Sequence, residues 1–253
     1  MKESEAFLAH EKLEVYEKSI DFVRIMSPII DGWPVMHSVR DQMDRASDSV
    51  VTNLVKASQM RRTEKGCYYL ECSYGSILEC AACLDVAFVK QLINKTLLHE
   101  GKSRLQTIAR MESGLRGSWS YAMHEESDFE SESAPVYFAH ETLKVYQTGL
   151  ALCKEIERIV PTGKNIRDRY VRRIDEASTS LVLNVAEGNG RYSTDQHRYF
   201  MDMAEEAGSK LAEYLDLFAV TSDVDVTPAK VLLRLAMLKI AGMKGYLTND
   251  VER

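Results

Sequence analysis

AHEKLEVY at residues 9–16 returns as AHETLKVY at residues 139–146, with six of eight positions identical at an offset of 130. The offset then becomes 131 and runs without a gap from Asp44/Asp175 to Phe88/Ala219, where eleven of forty-five positions are identical. Ser49/Ser180, Asn53/Asn184, Thr63/Thr194, Tyr68/Tyr199 and Asp85/Asp216 are among them. A period this long marks two tandem domains, because solenoid units run about 20–50 residues. Half of a 253-residue chain is large enough to bury its own core.

Both copies read as helix throughout. In the second, Leu143, Tyr146, Leu150, Cys153, Ile156 and Val160 recur at steps of three and four, the helical period. Pro161-Thr162-Gly163 breaks that helix, and the next runs from about 165 to 187 with Ile166, Tyr170, Ile174, Ala177, Leu181 and Val185 on one stripe. Gly188-Asn189-Gly190 is expected to stop it through a left-handed glycine. Ser193-Thr194-Asp195-Gln196 offers an S-x-x-Q capping box, and Thr227-Pro228 opens the last helix. The first copy follows the same plan, with helices near 10–30, 36–58, 63–94 and 98–120 and Thr63 as the third N-cap. The fold class expected is all-α, two tandem up-down-up-down four-helix bundles. Their bounds are 1–121 and 137–253, with 122–136 as an acidic linker.

The formal charge of −6 is unevenly placed: Glu125, Glu126, Asp128, Glu130 and Glu132 put −5 within residues 121–135, which hold no Lys or Arg. The folded copies together are therefore nearly neutral, so patches and not the total decide whether an anionic partner is bound. The linker has little apolar surface to bury and is expected to act as a tether. The N-terminus lacks the apolar core of a secretory signal. The late apolar stretch 231–243 is interrupted by Arg234 and Lys239 and too short to span a bilayer. A cytoplasmic protein without membrane contact is the expectation.

Four of five cysteines, Cys67, Cys72, Cys80 and Cys83, lie in one expected helix. Structural zinc draws its ligands from separated turns, so small buried side chains are the better reading, with metal or redox chemistry as the alternative. No Glu-x-x-His pair occurs for a di-iron bundle, and no nucleophile motif is recognisable. His10 and His140 are repeat equivalents suited to capping or packing. The chain is expected to be no enzyme, with no cofactor, no metal and no small-molecule substrate.

On the helical wheel Arg169, Arg173, Ser180, Asn184 and Glu187 fall on one side of the apolar stripe, a polar seam beside the core. In the first copy Ser49, Asn53 and Lys56 stand at the places of Ser180, Asn184 and Glu187. A buried hydrogen bond fixing helix register is one reading. A subunit or inter-repeat contact, with Lys56 opposite Glu187, is another. Gly188 and Gly190 read as a helix–helix turn rather than a phosphate loop, which needs a preceding strand. Lys164, Arg167, Arg169, Arg172 and Arg173 form a basic cluster, with Arg191 and Arg198 expected towards the other end of the bundle. Arg61, Arg62 and Lys65 are the first-copy counterpart of the latter pair. These residues are the candidates for phosphate contacts, against the plainer reading of a solvated face.

Residues 172–216, and within them Asn184-Val185-Ala186-Glu187-Gly188-x-Gly190-Arg191, resemble the four-helix bundle family of 23S rRNA intervening-sequence proteins. Arg173, Ser180, Tyr199, Phe200, Gly208 and Ser209 extend the resemblance, and Leu143-Lys144-Val145-Tyr146 looks like the family's opening. The first copy keeps Ser49 and Asn53 but carries Val55-Lys56-Ala57 in place of Ala-Glu-Gly, so the second copy is read as the closer to the pattern. A related bundle family is the accessory variability determinant of diversity-generating retroelements, whose members form pentamers and assist a reverse transcriptase. The resemblance implies a homo-oligomeric interaction protein serving a nucleic-acid-associated assembly, with a reverse transcriptase and RNA or DNA as partners. A protein-binding scaffold without nucleic-acid contact is the alternative.

Overall fold

The computed structural model describes residues 8–119, 137–191 and 193–249, and among them the chain is helical with no strand. The first copy contains α1 (Glu14–Asp31), α2 (Ser38–Gln59), α3 (Glu64–Val89) and α4 (Lys95–Trp119); the second contains α5 (Lys144–Ile159), α6 (Asp168–Asn189), α7 (Thr194–Ser222) and α8 (Thr227–Asn249). Within each copy every helix packs on the two beside it, first with second, second with third, third with fourth and fourth with first. Each copy is thus a closed four-helix bundle. The AHEK and AHET motifs form short 3₁₀ turns, Ala9–Lys12 and Ala139–Thr142, ahead of α1 and α5. The expected linker, 122–136, lies outside the described residues.

Periodicity sets the buried faces. Val15, Phe22, Met26 and Ile30 line α1, and Ile174, Ala177, Leu181 and Val185 line α6. Thr63 caps α3 as expected, its hydroxyl accepting from the Gly66 N–H at 3.0 Å. Two expectations at helix ends need correction. Ser193 precedes α7 but makes no side-chain capping bond. Gly190 closes α6 at φ −91°, not in the left-handed region, so its backbone does not require glycine; a neighbouring bundle does.

That neighbour is the first copy. α3 packs on α5 and α6, and α2 also meets α6, so both bundles share one continuous apolar core. The contact is not two-fold symmetric. A pseudo-dyad would place α7 against α1 and α2 as α3 lies against α5 and α6, and no comparable packing occurs among the described residues. The pairing is heterologous, with different faces of the two related bundles meeting.

This explains α3. Ile77, Cys80, Ala81, Ala82, Cys83, Leu84, Val86 and Ala87 are all fully buried, because the helix is covered by its own bundle on one side and by the second bundle on the other. A helix apolar all round needs such surroundings. By length and composition α3 is also apolar enough to cross a membrane, although two thirds of its most apolar stretch is buried in protein (67%). Cys80 and Cys83 are free thiols whose pKa values burial pushes well up. They fill close-packed space and are poor thiolate ligands.

Candidate functional site

The family-like turn is part of the seam between the bundles. An ideal Cβ on Gly190 would overlap Leu78 Cδ1 of α3 and lie 3.3 Å from the Tyr74 ring. Reciprocally, a Cβ on Gly75 of α3 would lie 2.8 Å from the Arg191 guanidinium and 3.3 Å from Glu187 Oε1. Two glycines therefore allow the end of α6 to approach the α3 backbone. Gly188 serves a different contact, since a Cβ there would meet Met201 and Phe200 of α7 at 2.9 Å. Arg191 pairs with Glu187 and stacks 4.8 Å from the centre of the Phe200 ring. Its side chain is only 9% exposed. Glu79 of α3 completes this charged group: burial and the nearby Glu187 raise its pKa to about 7, against the pull of Arg45 and Arg191.

Two lysine-centred clusters hold the rest of the seam. Asp175 of α6 accepts from the Ser38 N–H and Ser38 hydroxyl, each at 2.7 Å, from His37 at 3.1 Å and from the Lys90 ammonium. Lys90 also reaches Glu157 of α5 at 3.0 Å. Burial opposes the Asp175 carboxylate, but the His37 and Lys90 hydrogen bonds and the Lys90 charge outweigh it and hold its pKa well below the usual range. Further along, Lys102 of α4 meets Asp85 of α3 at 2.6 Å and Glu141 at 3.0 Å, while the Tyr146 hydroxyl donates to Asp85 at 2.8 Å. His140 is buried beside them, edge-on to Tyr146 at 4.7 Å and stacked on Phe138. Burial, with Lys102 nearby, lowers its pKa to about 3.

The groups His37, Glu157, Asp175 and Asp85, His140, Glu141 each lie close enough to hold a metal ion. In each, a lysine ammonium already supplies the positive charge the carboxylates need. The arrangement is that of buried ion pairs, which fix how two surfaces dock rather than adding much net stability.

The polar seam forms inside the helices. Asn53 donates to the Ser49 hydroxyl at 3.1 Å, and Ser76 of α3 donates to the same oxygen at 2.9 Å, tying α2 to α3. Asn184 likewise donates to Ser180, at 2.8 Å to its carbonyl and 3.1 Å to its hydroxyl. The expected pairing of Lys56 with Glu187 does not occur. Lys56 is exposed over the Tyr69 ring, 5.5 Å from its centre, because the bundles do not meet about a dyad.

The basic candidates divide sharply. Arg191 lies in the seam and Arg198 donates to the Leu247 carbonyl at 3.1 Å, tying α7 to α8. Arg61, Arg62 and Lys65 are all exposed, and Arg61 donates to the Ala9 carbonyl at 3.1 Å. Lys164, Arg167, Arg169, Arg172 and Arg173 are all exposed at the start of α6. Three have local partners: Lys164 with Asp223, Arg173 with Glu176, and Arg169 over the Tyr170 ring. Arg167 and Arg172 have no ion pair among the described residues.

Sequence reasoning missed Lys90, Lys102, Asp85, Asp175 and His37. The available signal was charge inside otherwise apolar runs, as in CLDVAFVK at 83–90. Repeat equivalents show why these faces meet once. Where α6 has the buried Thr179 and Leu183 and is followed by the half-buried Gly190, the first copy has Asp48, Thr52 and Gln59, all exposed. In place of Gly75, Leu78 and Ala82 on α3, α7 has Glu206, Ser209 and Glu213. One copy keeps an apolar α3 to offer, the other an apolar α6 to receive it.

Neither a curated protein nor a solved structure matches the chain. A family match does occur, and it falls on the first copy rather than on the second, where the Asn184–Arg191 motif directs attention. The first copy departs at that turn while keeping the pattern of its four helices. Over residues 11–114 the chain matches the family described as 23S rRNA-intervening sequence protein, and its first bundle is similar to that family.

Proposed function

We propose that the protein is a non-enzymatic interaction protein that serves as an accessory subunit of a nucleic-acid-associated assembly, such as a reverse transcriptase complex. The observation that carries this reading is the exposed basic strip at the start of α6. Arg167 and Arg172 keep their charge unpaired there among the described residues, with Lys164, Arg169 and Arg173 beside them. Guanidinium groups held on a helix surface suit phosphate contacts, and such binding weakens steeply with salt. The two lysine-centred clusters supply no free catalytic group, since Asp175 and Asp85 are engaged by lysines and hydroxyls.

Gel shift with single-stranded and structured RNA tests this reading. Binding should fall as salt rises, and the triple change of Arg167, Arg172 and Arg173 to Glu should abolish it. Unchanged binding in that variant, or none by the wild type at physiological salt, would refute the assignment. The second outcome would favour a protein-binding scaffold.

A further inference from the structure

α8 closes the second bundle, yet its outer side is apolar. Val231, Leu235 and Leu238 are 48%, 44% and 70% exposed, and Tyr246 is 69% exposed. The bundle itself does not demand this. Carrying the 131-residue offset onward, α4 has Glu100, Arg104 and Thr107 at the places of Val231, Leu235 and Leu238, and all three are solvated. Gly242 and Gly245 continue the line, and nothing lies within 4 Å of a Cβ built on either. Positions 231, 235, 238, 242 and 245 advance by four, three, four and three, the spacing of a helix-pairing seam.

We infer that this side of α8 pairs with α8 of a second copy of the chain, antiparallel. Charge selects the direction. α8 contains Lys230, Arg234, Lys239 and Lys244 and no carboxylate; Lys230 and Lys244 are taken up by α7. A parallel pair would set Arg234 of one helix beside Lys239 of the other, the flanking positions that want opposite charges. Antiparallel, with Leu235 of each chain against Leu238 of the other, Val231 lies over the open Gly242. Arg234 and Lys239 then fall beside Ala241 and Leu232 of the second copy, so no two cations meet. The surface is self-complementary, as a two-fold contact requires. The paired faces remove on the order of 1,000 Å² from water, the low end for a specific contact. The pairing stands independently of any nucleic-acid contact.

Sedimentation velocity of the full chain across the micromolar range tests it, with far-UV CD melting to confirm that variants stay folded. The wild type should show a concentration-dependent dimer. Leu238→Glu and Leu235→Lys, both at exposed positions, should each be monomeric. Mixing the two should restore a dimer, because the introduced ammonium of one chain meets the introduced carboxylate of the other. A wild type that remains monomeric, or an assembly that Leu238→Glu leaves intact, overturns the proposal. So does a monomer that instead co-sediments with anionic phosphatidylserine vesicles through this face.

Discussion

Gly190 at the end of α6 and Leu78 of α3 are so close that glycine is the only residue without a side-chain atom inside the Leu78 volume. Gly190→Val should therefore push the bundles apart at that end, at a cost of about 1–3 kcal/mol for an overpacked contact. Gly114→Val, at an exposed position where a Cβ meets nothing, is the control that reports helix propensity alone. Chemical denaturation of the two variants separates the effects.

Asp175 and Lys90 form the most heavily partnered ion pair of the seam. Asp175→Asn leaves a buried ammonium with Glu157 as its remaining carboxylate and should destabilise by about 3 kcal/mol. Lys90→Met combined with Asp175→Leu should recover part of that loss, because the buried ammonium is gone while the Ser38 N–H and hydroxyl lose their acceptor. Urea denaturation of the double variant beside Lys90→Met and Asp175→Leu as its singles closes a double-mutant cycle and measures the coupling.

Glu112 is buried against Ser73, and burial, opposed by the Ser73 hydrogen bond, raises its pKa to about 8. Such a carboxyl is neutral when folded and ionised when unfolded across the interval from its ordinary value of 4.5 to about 8. Its contribution is full below that interval and is lost as pH rises through it, by at most about 1.4 kcal/mol per unit. Glu112→Gln should flatten this alkaline decline, with its largest advantage over the wild type near the upper end. Thermal melts across pH check the slope.

His140 acts on the opposite limb. Its folded pKa of about 3 lies below the ordinary 6.5, so the unfolded chain takes up the proton first. Stability is intact above 6.5 and declines as pH falls towards about 3. His140→Phe should reduce that acid loss and leave the alkaline limb as it was. The same set of melts reads both.

The bundles were legible in the sequence because helices such as α1 and α6 carry an apolar stripe at steps of three and four, the helical period. α3 was legible as a helix but not as a shared one: Gly75, Ala81, Ala82 and Cys83 look like local packing until a second bundle covers their far side. The pairing of copies was misread for the same reason. Lys56 and Glu187 occupy equivalent places, which suggests a dyad, yet the faces of α3 and α6 that meet are not equivalent and no repeat alignment states which will meet. Arg191 illustrates the cost for the candidate site, since spacing cannot distinguish an arginine turned to solvent from one stacked on Phe200. The strip at Arg167 and Arg172 was legible as a run of like charge, although Ile166, Tyr170 and Val171 interleave with it.

The turn from Glu187 to Arg191 joins two unequal bundles that share one core, so they should unfold as one body. Differential scanning calorimetry of the whole chain, wild type beside Gly190→Val, tests it most directly. One cooperative transition in the wild type that broadens or separates into two in the variant is the predicted result. Two independent transitions in the wild type, unmoved by Gly190→Val, would contradict it.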